Sequence, residues 1–424
     1  MNDKRIKVLV VTGNPFSKVS NNGKTHEAIF SAFDKYELCQ LFCRPVSKEH
    51  TDFDYCCGYY SVNEIDIINK LLHKSNFCGE PVNNDNSEYD SKHTIYNKIK
   101  SNRKRNLGFF RDMLWATNKW KTDELNKWIN EQSPNVVFID GGGDKYLYNI
   151  AMFVSKSLNI PMIAFFTDDY LIYPRYKSLF AKLQQIRMKY FYRKIVDYAS
   201  ICYAIGESMA KEYGDYFHKP FLHIMNATEI YPYVAPIVVN KRPTISYFGG
   251  LHLNRWEMIV RLSNIVNQDA TIHVYSFADL SEDIIREFEK SKVIYHTGLK
   301  GYELRNAMLN SDILLHVESD DSIQRRFTRL AISTKIPEYL ISGRLVLGFG
   351  PAEVASMRFL SDNNIGFVVS SDEPDVEVRN RLKEILPNYE YLNDVVKYGY
   401  DFAAKNFNKS ALALEFKSRL ESIL

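Results

Sequence analysis

The sequence predicts an α/β protein made of two successive parallel-sheet domains, and three observations lead there. Its 424 residues, 45% hydrophobic and 25% charged, are enough for two cores and would make one unusually large domain. Short apolar, β-branched runs alternate with helical periods along most of the chain. Between residues 231 and 243 that alternation stops at Pro232, Pro236 and Pro243, with no amphipathic period, as an interdomain linker does.

The elements follow in order. Residues 6–11 form a β-branched run closed by Thr12, Gly13, Asn14 and Pro15, a buried parallel strand meeting a loop. Ala28, Ile29, Ala32 and Phe33 carry a helical spacing over 25–33, and 36–42 is the next strand, so the chain opens as βαβ. The Asn-, Asp- and Ser-rich stretch 79–92 reads as an exposed loop, part of a polar insertion near 79–106. Strand signals at 135–139, 161–166 and 200–205 then alternate with helices over 146–158 and from about 175. A second series of strands, at 244–248, 271–275, 293–295, 312–317 and 344–348, builds the other half. The expected boundaries are 1–236 and 237–408, with 409–424 a terminal helix that packs back on the first domain.

Composition limits the partners. A net charge of +3 is small for this length and gives no reason to invoke nucleic acid. Six cysteines without a C-x-x-C pair fit reduced thiols, and the apolar run 8–11 is too short for a signal peptide or a membrane span. The expectation is a cytoplasmic protein. Two basic stretches interleave cations with apolar residues: Lys98, Lys100, Arg103, Lys104, Arg105 and Arg111 among Phe109, Phe110, Leu114 and Trp115, and a helix with Arg175, Lys177, Lys182, Arg187, Lys189, Arg193 and Lys194. Either they are ordinary solvated helix faces, or they touch an anionic membrane surface on the inner side of a bilayer.

The most informative stretch is 334–348, where Lys335, Glu338, Tyr339 and Gly343 precede an apolar strand reaching Leu347. Pro337 suits a first helical turn, which puts Glu338 near a helix start. This pattern, K-x-x-E-Y followed by a glycine and a strand, resembles the C-terminal domain of GT-B glycosyltransferases, particularly glycosyltransferase family 4. Upstream, the strand 245–248, Gly249, Gly250 and Arg255 are similar to that family's first C-domain strand, glycine turn and basic residue. The succession 295–298, 302–304 and 311–315 continues the likeness.

The resemblance implies a fold class, α/β GT-B with two Rossmann-like domains facing across a cleft, and a sugar transfer from a nucleotide-diphosphate sugar to a glycan or lipid-linked acceptor. It implies that Glu338 accepts hydrogen bonds from the ribose hydroxyls, with Lys335, Arg255, Gly249, Gly250 and Tyr339 also on the donor side. Without a ligand, Glu338 is simply a carboxylate at a helix start. Gly23 and Lys24 fall where the family places a glycine-rich turn near the donor phosphates. Gly23-Lys24-Thr25 is not a P-loop, because Lys18 stands where that motif needs glycine.

Asp168 and Asp169 follow the strand 161–166 at the sheet edge where ligands collect, and their place resembles the family's acidic or histidine residue facing sugar and acceptor. Adjacent side chains on an extended segment point apart, so one reaches the ligand while the other caps or bonds backbone, and Asp168 is preferred as the catalytic group. The loop Asp140-Gly141-Gly142-Gly143-Asp144 offers Gly142 and Asp144 to the acceptor, or is only a turn with Asp144 as helix cap. Retaining members carry a glutamate eight positions before the ribose-binding one, and here that place is Leu330, so catalytic roles from that motif do not transfer. The mixed-charge run from Glu318 to Arg326 reads as a solvated loop or a donor-closing one. Asp52-Phe53-Asp54, the only D-x-D, lacks the apolar strand of metal-dependent enzymes, so neither a metal nor a bound cofactor is expected. The competing readings are a sugar-nucleotide epimerase of the same fold and a non-catalytic nucleotide- or glycan-binding protein.

Overall fold

The protein is seen in a computed structural model that describes residues 5–17, 21–44, 51–83, 107–169, 171, 179–235, 242–386 and 393–424. The chain divides into two compact units. The first takes the described residues through Leu171, then Leu183–Ile224 and Lys409–Leu424, and the second takes the described residues of Ile172–Lys182 together with Met225–Asn408.

In the first unit, strands β1 (Val8–Thr12), β2 (Leu38–Phe42), β3 (Tyr59–Ser61), β4 (Glu80–Val82), β5 (Val136–Asp140), β6 (Met162–Phe166), β7 (Ile201–Ile205) and β8 (Phe221–Ile224) form one sheet. Their order is β4-β3-β2-β1-β5-β6-β7-β8, parallel throughout except for β3 against β4. Every residue of β1, β2, β5 and β6 is buried, which is why these strands read as unbroken apolar runs. Helices α1 (Asn21–Phe30), α2 (Glu64–Leu71), α3 (Leu107–Ala116), α4 (Asp123–Gln132), α5 (Lys145–Leu158), α6 (Leu179–Tyr198) and α7 (Gly206–Phe217) connect the strands.

In the second unit, β9 (Thr244–Phe248), β10 (Thr271–Ser276), β11 (Ile294–Thr297), β12 (Ile313–Val317), β13 (Leu345–Gly350) and β14 (Phe367–Ser370) pair in the order β11-β10-β9-β12-β13-β14, all parallel. Their helices are α8 (Arg255–Val266), α9 (Glu282–Ser291), α10 (Gly301–Leu309), α11 (Ser322–Thr328), α12 (Lys335–Ile341), α13 (Ala355–Asp362), α14 (Asp375–Ile385) and α15 (Asn393–Asn406). The last helix, α16 (Lys409–Glu421), belongs to the first unit. There Phe416 packs edge-on against Phe30 and Phe138, and Lys409 and Lys417 pair with Glu27 and Glu37 at 2.6 Å each.

Both sheets reverse strand order at one place, β1/β5 in the first and β9/β12 in the second. In open parallel sheets, that switch point at the carboxyl ends of the strands is where the connecting loops part and leave room for a ligand.

Two expectations differ from what is observed. The polar stretch from residue 79 begins with β4 rather than a loop, because Glu80–Val82 pairs antiparallel with β3 at the sheet edge, where Pro81 is tolerated. Residues 84–106 lie outside the described residues. The first half of the 231–243 segment is packed into the second unit instead of forming a free linker. Tyr231 O accepts from Tyr400 Oη at 2.6 Å and Val234 O accepts from Arg344 at 2.9 Å, so backbone groups with no helix or strand partner are satisfied by side chains.

Candidate functional site

The second unit's switch point is a polar crevice in an apolar sheet. β9 and β12 pair only through Ile245 with Ile313 and Ser246 with Leu314, so no ladder joins them further toward their carboxyl ends. Tyr339, on α12, fills part of this opening. Its hydroxyl accepts from Phe248 N at 3.1 Å and lies 3.3 Å from Phe248 O, satisfying backbone that β12 leaves unpaired. Tyr339 is fully buried, which corrects its expected place as a donor contact: it positions the glycine turn from behind.

That turn carries Gly249 and Gly250. Gly249 has φ +138°, and a Cβ there would lie 1.9 Å from Lys335 Nζ, so only glycine allows both the backbone conformation and the lysine. Lys335 Nζ reaches over the turn, 3.2 Å from Tyr247 Oη and 4.5 Å above its ring. No carboxylate lies within ion-pair distance of Lys335 among the described residues.

Arg255 opens α8, and one of its terminal nitrogens donates to both oxygens of Glu318, at 3.1 and 3.2 Å. Glu318 is buried, although the run it begins was favoured as a solvated loop. The correction applies to Glu318 and its neighbour Ser319, which is buried as well. Asp321 caps α11, and Asp320 and Arg325 make exposed pairs with Arg261 and with Glu353 and Asp372. His316, on β12 two residues before Glu318, is also buried. Its Nε2 stands 3.5 Å from Glu318 Oε1 and has no hydrogen-bond partner among the described residues.

The electrostatics follow from this crowding. Burial, then Arg255 and Lys335, push the His316 imidazole well below its ordinary value, and the same causes lower His252. Both rings are therefore neutral near pH 7. Burial raises the Glu318 carboxyl, while Arg255 and Lys335 pull it back. The crevice thus holds two cations and one carboxylate around a glycine turn. Glu338 lies one helical turn beyond Lys335 on α12, half-buried, with Tyr231 among its neighbours. Leu330 is buried in the core, with no carboxylate at that position.

At the first unit's switch point, buried Gln40 ties the loop after β1, receiving Phe16 N and donating to Thr12 Oγ1. Gly23 and Lys24 belong to the first turn of α1, not to the turn between β1 and the helix. The helix starts at Asn21, earlier than the apolar period shows, and the Lys24 side chain lies outside the described residues. His26 on α1 and Asp140 at the end of β5 form a buried pair, Nε2 to Oδ2, at 2.9 Å. Sequence reasoning missed it.

Gly142 has φ +49°, and its carbonyl accepts from Tyr148 and Tyr192 hydroxyls. Asp144 stands at the N-cap of α5 without capping it, since its carboxylate pairs with Arg111 and approaches Arg44 at 4.0 Å and Tyr146 Oη at 3.3 Å. Asp169 is buried and accepts from Leu171 N and Tyr213 Oη, both at 3.1 Å, so it fixes the turn after β6 and is corrected as a catalytic candidate. Asp168 beside it is half-buried and lies near Tyr192.

No protein-family model and no curated protein matches the sequence. Solved structures match in fold. The Anabaena protein HepE in complex with UDP aligns over 98% of this chain and 100% of its own at a TM-score of 0.62 and 10% identity. TarM aligns over 98% and 100% at 0.60 and 9%. WaaG, a glycosyltransferase involved in lipopolysaccharide biosynthesis, aligns over 97% and 98% at 0.52 and 12%. The chain therefore has the GT-B fold, two parallel-sheet α/β domains.

Proposed function

We propose that this protein is a glycosyltransferase that moves a sugar from a nucleotide-diphosphate sugar to a glycan or lipid-linked acceptor. The observation that carries the reading is the crevice at the β9/β12 switch point. Lys335, with no carboxylate partner among the described residues, Arg255 and the glycine turn at Gly249 and Gly250 together suit a diphosphate. HepE, a protein of the same fold, has been captured with UDP and with UDP-glucose.

In this reading Glu338 accepts hydrogen bonds from the ribose hydroxyls, as an ionised carboxylate can from two donors at once. Arg255 and Lys335 neutralise the diphosphate as it leaves, where charge builds up in the transition state. Side-chain cations rather than a metal ion carry that task, so full turnover in chelator is expected. The acceptor is assigned to the first unit, with Asp168 taking or orienting the proton of its hydroxyl. The His26–Asp140 pair is a second group there able to hold a proton.

The test is calorimetric titration with uridine, guanosine, adenosine and cytidine diphosphates on the wild type and on Glu338→Ala. One nucleotide should bind, and roughly tenfold or more weaker in the variant. Binding by none of the four would remove the transferase reading. A bound sugar nucleotide that is isomerised with no acceptor present would replace it with an epimerase.

A further inference from the structure

Beyond the nucleotide crevice, the first unit carries an apolar stripe with cations on both flanks. α6 packs its inner face on the unit through Tyr192, Ile195 and Val196, all 1% exposed or less, and Tyr192 meets Tyr148 of α5 at 5.2 Å between ring centres. On the opposite face Leu183, Ile186 and Tyr190 are 53%, 63% and 67% exposed. Their spacing of three and four residues puts them in one line, at about 100° of turn per residue. A protein surface rarely leaves three large apolar side chains in a row to water without a partner.

The charges beside the line identify that partner. At the same angular step Arg187 and Lys194 fall on one side of the stripe, and Lys189 and Arg193 on the other. None of the four has a carboxylate within ion-pair distance among the described residues, but Arg193 is held at the end of α7, donating to Phe217 O at 2.6 Å and Tyr216 O at 3.1 Å, which leaves Arg187, Lys189 and Lys194 for a partner. Lys194 Nζ lies over the Tyr190 ring at 4.6 Å and Lys189 Nζ over the Tyr216 ring at 5.2 Å, so both ammonium groups rest on aromatic faces at the edges of the stripe. From Leu183 to Tyr198 the helix has one acid, Asp197, near its far end. On the other side of α5, α3 stacks Trp115 on Tyr146 and turns Phe110 and Met113 outward, 63% and 55% exposed.

We infer that the outer face of α6 is a docking surface for an anionic lipid bilayer. Leu183, Ile186 and Tyr190 enter the headgroup boundary while Arg187, Lys189 and Lys194 contact lipid phosphates. A protein partner would need acidic groups matched to cations on both edges of a narrow stripe, whereas a charged bilayer supplies them everywhere. No helix among the described residues is long and apolar enough to cross a membrane, so the contact is peripheral. The inference does not depend on sugar transfer.

The experiment is co-sedimentation of the whole protein with vesicles of phosphatidylcholine, alone and mixed with phosphatidylglycerol, at low and high salt. The wild type should sediment with the mixed vesicles, not with phosphatidylcholine alone, and be released by salt. Lys189→Gln with Lys194→Gln should weaken partitioning by roughly twentyfold, at about fivefold for each cation lost. Ile186→Ser with Tyr190→Ser should also weaken it while leaving its preference for anionic lipid. All four positions are on the surface, so thermal unfolding and nucleotide titration should be unchanged, which separates failure here from failure of the donor site. Equal binding to both vesicle types, or variants that sediment like the wild type, would overturn the inference. So would a wild-type dimer, seen by light scattering, that the Ile186→Ser/Tyr190→Ser variant dissociates, since a second copy would then own the stripe.

Discussion

Glu318→Gln should make the protein less stable and a better nucleotide binder at once. Glu318 and Arg255 are both largely removed from water, with side chains 3% and 14% exposed, and the carboxylate is the arginine's acidic partner among the described residues. Removing one member of a buried pair leaves an uncompensated charge, a loss of about 3–5 kcal/mol. For a unit of this size each kcal/mol moves the midpoint by about 2–4 °C, so the second unit should melt roughly 6–20 °C lower. The released guanidinium is then open to the donor diphosphate, and a hydrogen bond to a charged group contributes about 1.5–3 kcal/mol, or on the order of 10- to 100-fold in Kd. The same nucleotide should restore much of the lost midpoint, because it binds only the folded state. Calorimetric titration and thermal unfolding with and without nucleoside diphosphate read both effects. A variant with lower stability and also weaker nucleotide binding would refute the reasoning, since Glu318 would then hold Arg255 in its binding pose rather than compete for it. Unchanged stability would refute it as well.

Gly249→Ala should abolish nucleotide binding with the fold retained, because the new Cβ meets Lys335 Nζ and the backbone is held at φ +138°, with titration and circular dichroism as the checks. Acid should destabilise the second unit. His316 is held neutral below its ordinary value in the fold but takes a proton in the unfolded chain, so as pH falls below about 6.5 stability drops by about 1.4 kcal/mol per pH unit until the folded-state ring also protonates. Denaturant unfolding between pH 7 and 5 should show this slope, and His316→Gln should reduce it, with His252, His273 and His296, also held below their ordinary value by burial, supplying what remains. The neighbouring aspartates should separate: Asp169→Asn lowers stability by about 1–3 kcal/mol through the turn after β6, whereas Asp168→Asn lowers turnover with little change in melting. Equal melting losses in the two variants would count against that division.

The strands at the centre of each sheet were legible because burial on both faces leaves an unbroken apolar run, as in β1, β5, β6 and β12. Edge strands were not, apart from β11, whose Ile294–Thr297 overlaps the expected strand at 293–295. β4 is Glu-Pro-Val and β8 is Phe-Leu-His-Ile, short segments that only their neighbour defines as strand. The site divides the same way. Gly249, Gly250, Arg255 and Lys335 could be singled out because their local pattern resembles that of a known family. Glu318 and His316 could not, since Arg255 and Glu318 are 63 positions apart and meet only because β9 lies beside β12. His26 and Asp140, 114 positions apart, meet in the same manner beside β1 and β5.

Both missed pairs sit where strand order reverses, and this has a physical reason. At a switch point the two connections leave in opposite directions, so the strand ends lack a covering helix and their backbone and side-chain polar groups must find partners elsewhere. In the second unit the β9–β12 ladder stops after two residue pairs, and Tyr339, His316, Glu318 and Arg255 fill what it leaves open. An opening filled by charges can exchange them for a charged ligand, whereas one filled by apolar side chains cannot without exposing them to water. The Arg255–Glu318 pair is therefore better understood as a contact made to be replaced than as a contribution to stability, since a buried ion pair gains little over well-packed apolar residues of equal volume. That is why Glu318→Gln is expected to move stability and nucleotide affinity in opposite directions, a result that a purely structural salt bridge would not give.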